Sequence, residues 1–321
     1  MTDLIPPIAP DSPVFLFSGQ GSQKPGMGVD LLDIPEVAAT LSCASEVFAF
    51  NVADLIQNAE PEKLNDTRFA QPALCALSVG IAHALGARGV QPAAVLGFSL
   101  GQTSALPVAG MLSDEDTFEL VKVRSSLMAE AAAAHPGAMS ALLKADEDSV
   151  QALCDECAQN EVLVAANYNC PGQIVIAGSV GAVTRAEEAW SASGKRCARL
   201  ATSGAFHSPL MVEAAAELAR YLEGVVFSEP RIPLICNVDA FPLGAAEARE
   251  HLVRHLTSPV RFDQSVAALS RAGAHLFAEV GFGGVLANLV KRIDKSAERT
   301  CVQDRASFEV FVAACDQQMC G

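Results

Sequence analysis

Short runs of unbroken apolar residues alternate along this chain with longer stretches in which apolar positions return every three or four residues. Val14-Phe15-Leu16-Phe17 and Ala93-Ala94-Val95-Leu96 are runs of the first kind and predict buried strands. Periodic stretches at about 35–57, 72–88 and 114–133 predict helices, the last with Ser113 as its N-cap. Strands alternating with helices predict an α/β domain with a mostly parallel sheet. From Gly137 the texture changes. Strands are expected at 138–144, 162–166, 174–177 and 196–200, with helices at 146–159 and 180–193. That β-α-β-β-α-β order is the split unit of a ferredoxin-like fold. The reading is therefore a large α/β domain made of 1–136 and 203–321, with a small ferredoxin-like domain inserted at 137–202. Further large-domain strands are expected at 232–237 and 275–279.

Composition narrows the class. Half of the 321 residues are hydrophobic and 18% are charged, which excludes a disordered chain. No apolar run reaches membrane-spanning length, and Met1 to Pro13 lacks the build of a signal peptide. A soluble cytoplasmic protein is expected, with no membrane and no nucleic acid as partner, because the net charge is −15. Lys291, Arg292, Lys295 and Arg299 form a local basic patch that suits an acidic partner. Of ten cysteines only Cys154 and Cys157 make a C-x-x-C. No second pair stands at zinc-ligand spacing, so free buried thiols are expected and no metal site.

The chemistry centres on Gly97-Phe98-Ser99-Leu100-Gly101, a G-x-S-x-G between an apolar run and a stretch, 102–109, able to start a helix. A serine on such a turn projects into a cleft, where the first amides of the helix face any oxyanion formed beside it. Ser99 is the candidate nucleophile. A serine hydroxyl needs a base. His83, His135, His251, His255 and His275 read as surface or capping residues, with 251 and 255 on one polar helix face. His207 lies in the small-residue loop Ser203 to Pro209, directly after the inserted segment, and is the candidate base. No acid stands out as a third member, which leaves a backbone carbonyl to hold the imidazole tautomer. Arg124 falls on the apolar stripe of its helix beside Leu120, Val121, Leu127 and Met128. A guanidinium there needs an anion, either a protein carboxylate or a substrate carboxylate.

These landmarks, in this order, resemble the malonyl-CoA:acyl carrier protein transacylases and the acyltransferase domains of polyketide synthases. Phe17 to Gln23 resembles the family's G-Q-G-S-Q loop and Gln71-Pro72-Ala73-Leu74 its Q-P-A-L helix start. Asn167 to Gln173 is similar to its N-x-N-S-P-G-Q hairpin, and Glu279-Val280-Gly281 to its late E-V-G strand. Two positions depart from the family's G-H-S-x-G-E: Phe98 stands for the histidine and Gln102 for the glutamate.

The resemblance implies roles. Ser99 would be the nucleophile and His207 the base, with the amides of Gln20 and Leu100 as oxyanion hole. Arg124 would hold the malonyl carboxylate, and Phe98, Gln71 and Asn167 would line the substrate. The carbonyl of Arg261 would orient His207. Phe206, in Ala-Phe-His-Ser, would fill the space an α-methyl group needs. The implied activity is ping-pong transfer of malonyl from malonyl-CoA to the phosphopantetheine of acyl carrier protein for fatty acid synthesis, by a monomer without metal or redox cofactor. The rivals are a polyketide-pathway acyltransferase for another acyl group, a serine hydrolase, and a silent carrier-binding module.

Overall fold

The computed structural model describes residues 5–319; residues 1–4, 320 and 321 lie outside them. The strands, in chain order, are β1 (Pro13–Phe17), β2 (Ala94–Gly97), β3 (Gly137–Ala145), β4 (Leu163–Cys170), β5 (Gly172–Ser179), β6 (Cys197–Arg199), β7 (Leu234–Ile235), β8 (Val260–Arg261), β9 (Leu276–Val280) and β10 (Glu298–Val302). They form two sheets.

The first sheet has the order β10-β9-β1-β2-β7 and every pair in it is parallel. Strands β1, β2 and β7 are unbroken apolar runs because both faces are covered there. Phe15 and Phe17 of β1 enter the larger core, whereas Val14 and Leu16, pointing the other way, enter a second core with Phe262 and Phe277. The chain moves outward from β1 through β2 to β7, then returns to β9 and β10 on the other side of β1. In such sheets ligands bind beyond the carboxyl ends of the strands, near where the order reverses. The loop after β1 and Ser99 after β2 both lie at those ends.

The second sheet has the order β6-β3-β5-β4-β8; its first four strands are antiparallel, with helices Glu147–Ala158 and Val180–Ala192 packed on a separate core around Trp190. This is the ferredoxin-like arrangement anticipated. Cys154 and Cys157 are buried there as free thiols. The short strand β8 adds to it in parallel, Asn167 beside Val260 and Tyr168 beside Arg261, so a segment from late in the chain joins the edge of this sheet.

Several boundaries differ from the periodic reading. The stretch 35–57 is two helices, Pro35–Phe48 and Val52–Asn58, bent by 101°. Asn51 ends the run by capping the second helix, its side chain accepting from the Asp54 amide. After a short helix, Pro61–Asn65, the helix expected at 72–88 begins at Thr67, with Asp66 as N-cap, so Pro72 lies inside it rather than opening it. This helix, Thr67–Ala87, is long and apolar enough to cross a membrane, yet 83% of its apolar window is buried against Pro35–Phe48 and Asp114–Ala134. It is a core helix. After Ser99 the helix stops at Ser104 and a separate turn, Leu106–Ala109, follows with Pro107 in its first turn. His255, read as part of a polar helix face, is fully buried. Strands β8 and β10 were not anticipated.

Candidate active site

Ser99 sits between β2 and helix Leu100–Ser104 with φ 54° and ψ −107°, a conformation that L-residues avoid. The glycines beside it allow the turn. A Cβ on Gly97 would lie 1.8 Å from the Gly101 carbonyl carbon, and one on Gly101 would lie 1.9 Å from the Phe17 carbonyl oxygen. Backbone is thus packed on backbone, and nothing can swing aside. Leu100 is the first residue of its helix, so its amide has no acceptor within the helix and faces the space beside Ser99.

Two side chains meet at the Ser99 hydroxyl. His207 Nε2 lies 2.7 Å from Oγ, and Arg124 Nη2 donates to Oγ at 3.4 Å. On the far side of the imidazole, Nδ1 lies 2.8 Å from the carbonyl oxygen of His255. A carbonyl can only accept, so Nδ1 carries the proton and Nε2 offers a lone pair to the serine O–H. Burial pushes the His207 pKa down to about 4, with the nearby Arg124 charge adding to the fall. The ring is neutral at ordinary pH, as a proton acceptor must be.

The carbonyl expected to orient this ring was that of Arg261. That expectation is corrected: the ring meets the His255 carbonyl instead, and the Arg261 carbonyl accepts from Ser265 Oγ at 2.8 Å, one turn into helix Phe262–Arg271. His255 follows helix Ala245–Arg254, where the last carbonyls have no intrahelical donor, so its oxygen is free to turn to His207. The His255 side chain is itself buried beside the His207 ring, 5.1 Å between centroids, with both ring nitrogens unpartnered among the described residues. Burial, then the neighbouring His207, hold its pKa well below the usual histidine range.

Arg124 is 2% exposed, on helix Asp114–Ala134, and no carboxylate of the described residues lies within ion-pairing distance of it. Its one close partner is neutral: Nη1 donates to Gln71 Oε1 at 2.7 Å. Burial lowers its pKa to about 10, which still leaves it charged at neutral pH. Gln71 passes the contact on, donating to Gln20 Oε1 at 3.2 Å, and Gln20 Nε2 donates to Thr67 Oγ1. The polar line Arg124–Gln71–Gln20 therefore joins the core helices to the loop after β1. A buried guanidinium without a counter-ion leaves room for an anion beside Ser99.

The remaining expected residues are distributed around this centre. Phe98 packs edge-on to Phe262, centroids 5.6 Å apart, and is half-buried beside the serine. Phe206, 7% exposed, joins the larger core immediately before His207. Asn167 is buried on β4 opposite β8, and its Nδ2 has no acceptor among the described residues. Glu279 is a support: it accepts from Ser18 Oγ and from the Ala287 amide, both at 2.9 Å, tying the end of β1 to helix Val285–Ile293.

The reading of the sequence missed Asn237. This buried residue just after β7 accepts from the Ser99 amide at 2.8 Å and donates to the Gly97 carbonyl at 2.7 Å, bridging both sides of the strained turn. Its own amide donates to Gln102 Oε1 at 2.5 Å. The departure from glutamate at 102 thus keeps the acceptor oxygen and gives up only the charge. A lone asparagine in a short turn carries no pattern, and only the triplet of hydrogen bonds marks it out.

Comparison with known proteins agrees with this geometry. Residues 14–310 match the acyl transferase domain family. The chain is 40% identical to the malonyl CoA-acyl carrier protein transacylase of Haemophilus influenzae over 298 residues, 91% of this chain and 96% of that one. It superposes on the crystal structure of the malonyl-CoA:acyl carrier protein transacylase of Xanthomonas oryzae pv. oryzae with a TM-score of 0.92 at 40% identity, covering 96% of this chain and 99% of that one. A malonyl-transacylase in complex with its type II polyketide synthase acyl-carrier protein gives 0.90 at 39%, covering 94% and 99%. An acyl transferase domain spanning nearly the whole chain, and relatives this similar over nine-tenths of it, make the protein a member of the acyl transferase family, alongside the malonyl-CoA:acyl carrier protein transacylases.

Proposed function

We propose that this chain transfers a malonyl group from malonyl-CoA to the phosphopantetheine thiol of an acyl carrier protein, with Ser99 as the carrier of the acyl group between the two. His207 Nε2 takes the Ser99 proton as Oγ attacks the thioester carbonyl, and the negative oxygen is held by the amides of Leu100 and Gln20. Collapse expels CoA as its thiol, protonated by the His207 imidazolium. The carrier thiol then attacks the malonyl-serine ester by the reverse steps. The His255 carbonyl keeps the imidazole in one tautomer throughout. Phe206 fills the space that an α-methyl substituent would need, and Phe98 and Asn167 lie along the acyl group. The segment 137–202 acts as a small domain over the cleft, and the cytoplasm is the compartment that supplies both substrates.

The observation that carries this reading is the placement of Arg124. A buried cation with no carboxylate partner among the described residues stands 3.4 Å from the serine hydroxyl, on which His207 also converges. A malonyl-serine would bring its free carboxylate to that cation. An acetyl-serine would leave it bare, and so would be rejected. A hydrolase has no use for such a charge. The exposed basic residues Lys291, Arg292, Lys295 and Arg299 suit an acidic carrier protein. The likeness to a transacylase complexed with a polyketide carrier makes a polyketide pathway the second reading.

Intact-protein mass spectrometry after mixing with malonyl-CoA or acetyl-CoA tests the proposal. Wild type gains one malonyl group, Ser99→Ala gains none, and Arg124→Ala loses the preference for malonyl over acetyl. Release of free malonate in place of a stable adduct that passes to the carrier would favour a hydrolase. No adduct and no CoA release would overturn the assignment.

A further inference from the structure

The turn Cys236-Asn237-Val238-Asp239 that supplies the brace for Ser99 also gathers three donor atoms of different chemistry. Cys236 Sγ lies 3.3 Å from Nδ1 of His251, on helix Ala245–Arg254, and that nitrogen lies 3.6 Å from Asp239 Oδ2. All three donor atoms fall within 4.8 Å of one another. A tetrahedral ion with a metal–sulfur bond of about 2.3 Å and metal–nitrogen or metal–oxygen bonds of about 2.0–2.1 Å holds its ligand atoms about 3.3–3.6 Å apart. Two of the three gaps already have that size. The sulfur also accepts a hydrogen bond from the Val238 amide at 3.4 Å, the kind of outer contact that steadies a metal-bound thiolate. Cys236 is fully buried, but the side chains of His251 and Asp239 are 15% and 31% exposed. Solvent therefore reaches the cluster from one side.

We propose that Cys236, Asp239 and His251 form a binding site for a divalent cation of the zinc class, separate from the acyl-transfer chemistry. The thiolate and imidazole select zinc-like ions over magnesium or calcium, which prefer oxygen alone. On binding, the thiol S–H bond breaks, its electron pair goes to the ion and the proton leaves to solvent. Neutral His251 binds through Nδ1, Asp239 binds as carboxylate, and water fills the fourth position. The ion closes the turn from its ends, fixing Cys236 and Asp239 around Asn237.

Cobalt(II) is the probe, because tetrahedral thiolate ligation gives it visible and charge-transfer absorption whatever the enzyme's activity. Titration of the reduced, full-length protein should saturate at one equivalent with a thiolate-to-cobalt band that zinc displaces and magnesium does not. The band should vanish in Cys236→Ser. Asp239→Asn, at a partly exposed position that does not threaten folding, should weaken binding by about tenfold or more, no less than loss of an outer contact. Either no charge-transfer band in wild type or an unchanged band in Cys236→Ser would overturn the proposal. The acyl-enzyme experiment is independent of this result, so either reading can fail alone.

Discussion

The most consequential detail at the scale of single residues is that the Ser99 base is held by a carbonyl rather than a carboxylate. A carboxylate beside an imidazole raises its pKa; here burial, then the Arg124 charge, outweigh the backbone carbonyl hydrogen bonds and bring His207 down to about 4. The base stays deprotonated as pH falls, until its own pKa is reached. The acid limb of kcat/KM for malonyl transfer should therefore lie well below 6.5, near 4, where measurements in overlapping buffers can find it; a limb at 6.5 or above would contradict the buried, carbonyl-held ring. Asn237 makes the second case. Asn237→Ala leaves the Ser99 amide and Gly97 carbonyl without their side-chain partner, an imbalance of about 1–3 kcal/mol. If that loss falls on the reactive geometry, kcat for acyl-enzyme formation drops by about tenfold or more while KM changes little. A change confined to KM would refute the bracing role. Neither detail was legible in the sequence, for different reasons. A backbone carbonyl has no residue identity, which is why Arg261 was as reasonable an expectation as His255. Asn237 is an isolated polar residue whose meaning comes only from a strand 140 positions earlier.

At the scale of elements, the strand–turn–helix around Ser99 depends on two glycines for close approach and not for dihedral freedom. The Cβ of Gly101→Ala would sit 1.9 Å from the Phe17 carbonyl oxygen, inside the sheet between β1 and the helix. Neither backbone can retreat without breaking the parallel pairing of β1 with β2. The expected cost is about 3 kcal/mol or more in urea unfolding, with loss of the malonyl adduct even in the folded fraction; an alanine variant of wild-type stability would show that the turn relaxes. This element was readable because its signal is local: two glycines, a serine and an apolar run. The inserted β-α-β-β-α-β unit was readable because its strands and helices keep clean periods. What failed were elements whose cause is distant. β8 is two residues long and exists only because β4 offers an edge; β10, Glu298–Val302, is largely polar and is a strand because β9 lies beside it. The Pro35–Phe48 and Val52–Asn58 helices share one apolar period, and the bend between them shows only in the cap at Asn51.

Across the whole molecule, the site is assembled from both ends of the chain around the inserted sheet. Gln20, Ser99 and Arg124 precede it; His207, Asn237 and His255 follow it. Folding must bring these together before the site exists, and it buries two imidazoles in doing so, His207 and His255, facing each other and the Arg124 cation. That arrangement makes global stability depend on pH. In the unfolded chain each imidazole titrates near 6.5. In the folded chain His207 titrates at about 4 and His255 well below the ordinary value. Between those limits the unfolded state binds more protons than the folded state, so unfolding free energy rises with pH there. The stability associated with neutral rings is fully present above about 6.5. It is lost progressively as pH falls towards 4. For His207 alone the loss by pH 5 is about 2 kcal/mol. Urea unfolding at pH 7.5 and pH 5 should show wild type losing at least that much more than His207→Gln, and His255→Gln should flatten the dependence in the same sense. Equal losses in all three proteins would mean that the rings are hydrated or charged in the folded state. A charged His207 could not take the Ser99 proton, so this stability measurement also bears on the reaction, through the one residue on which both depend.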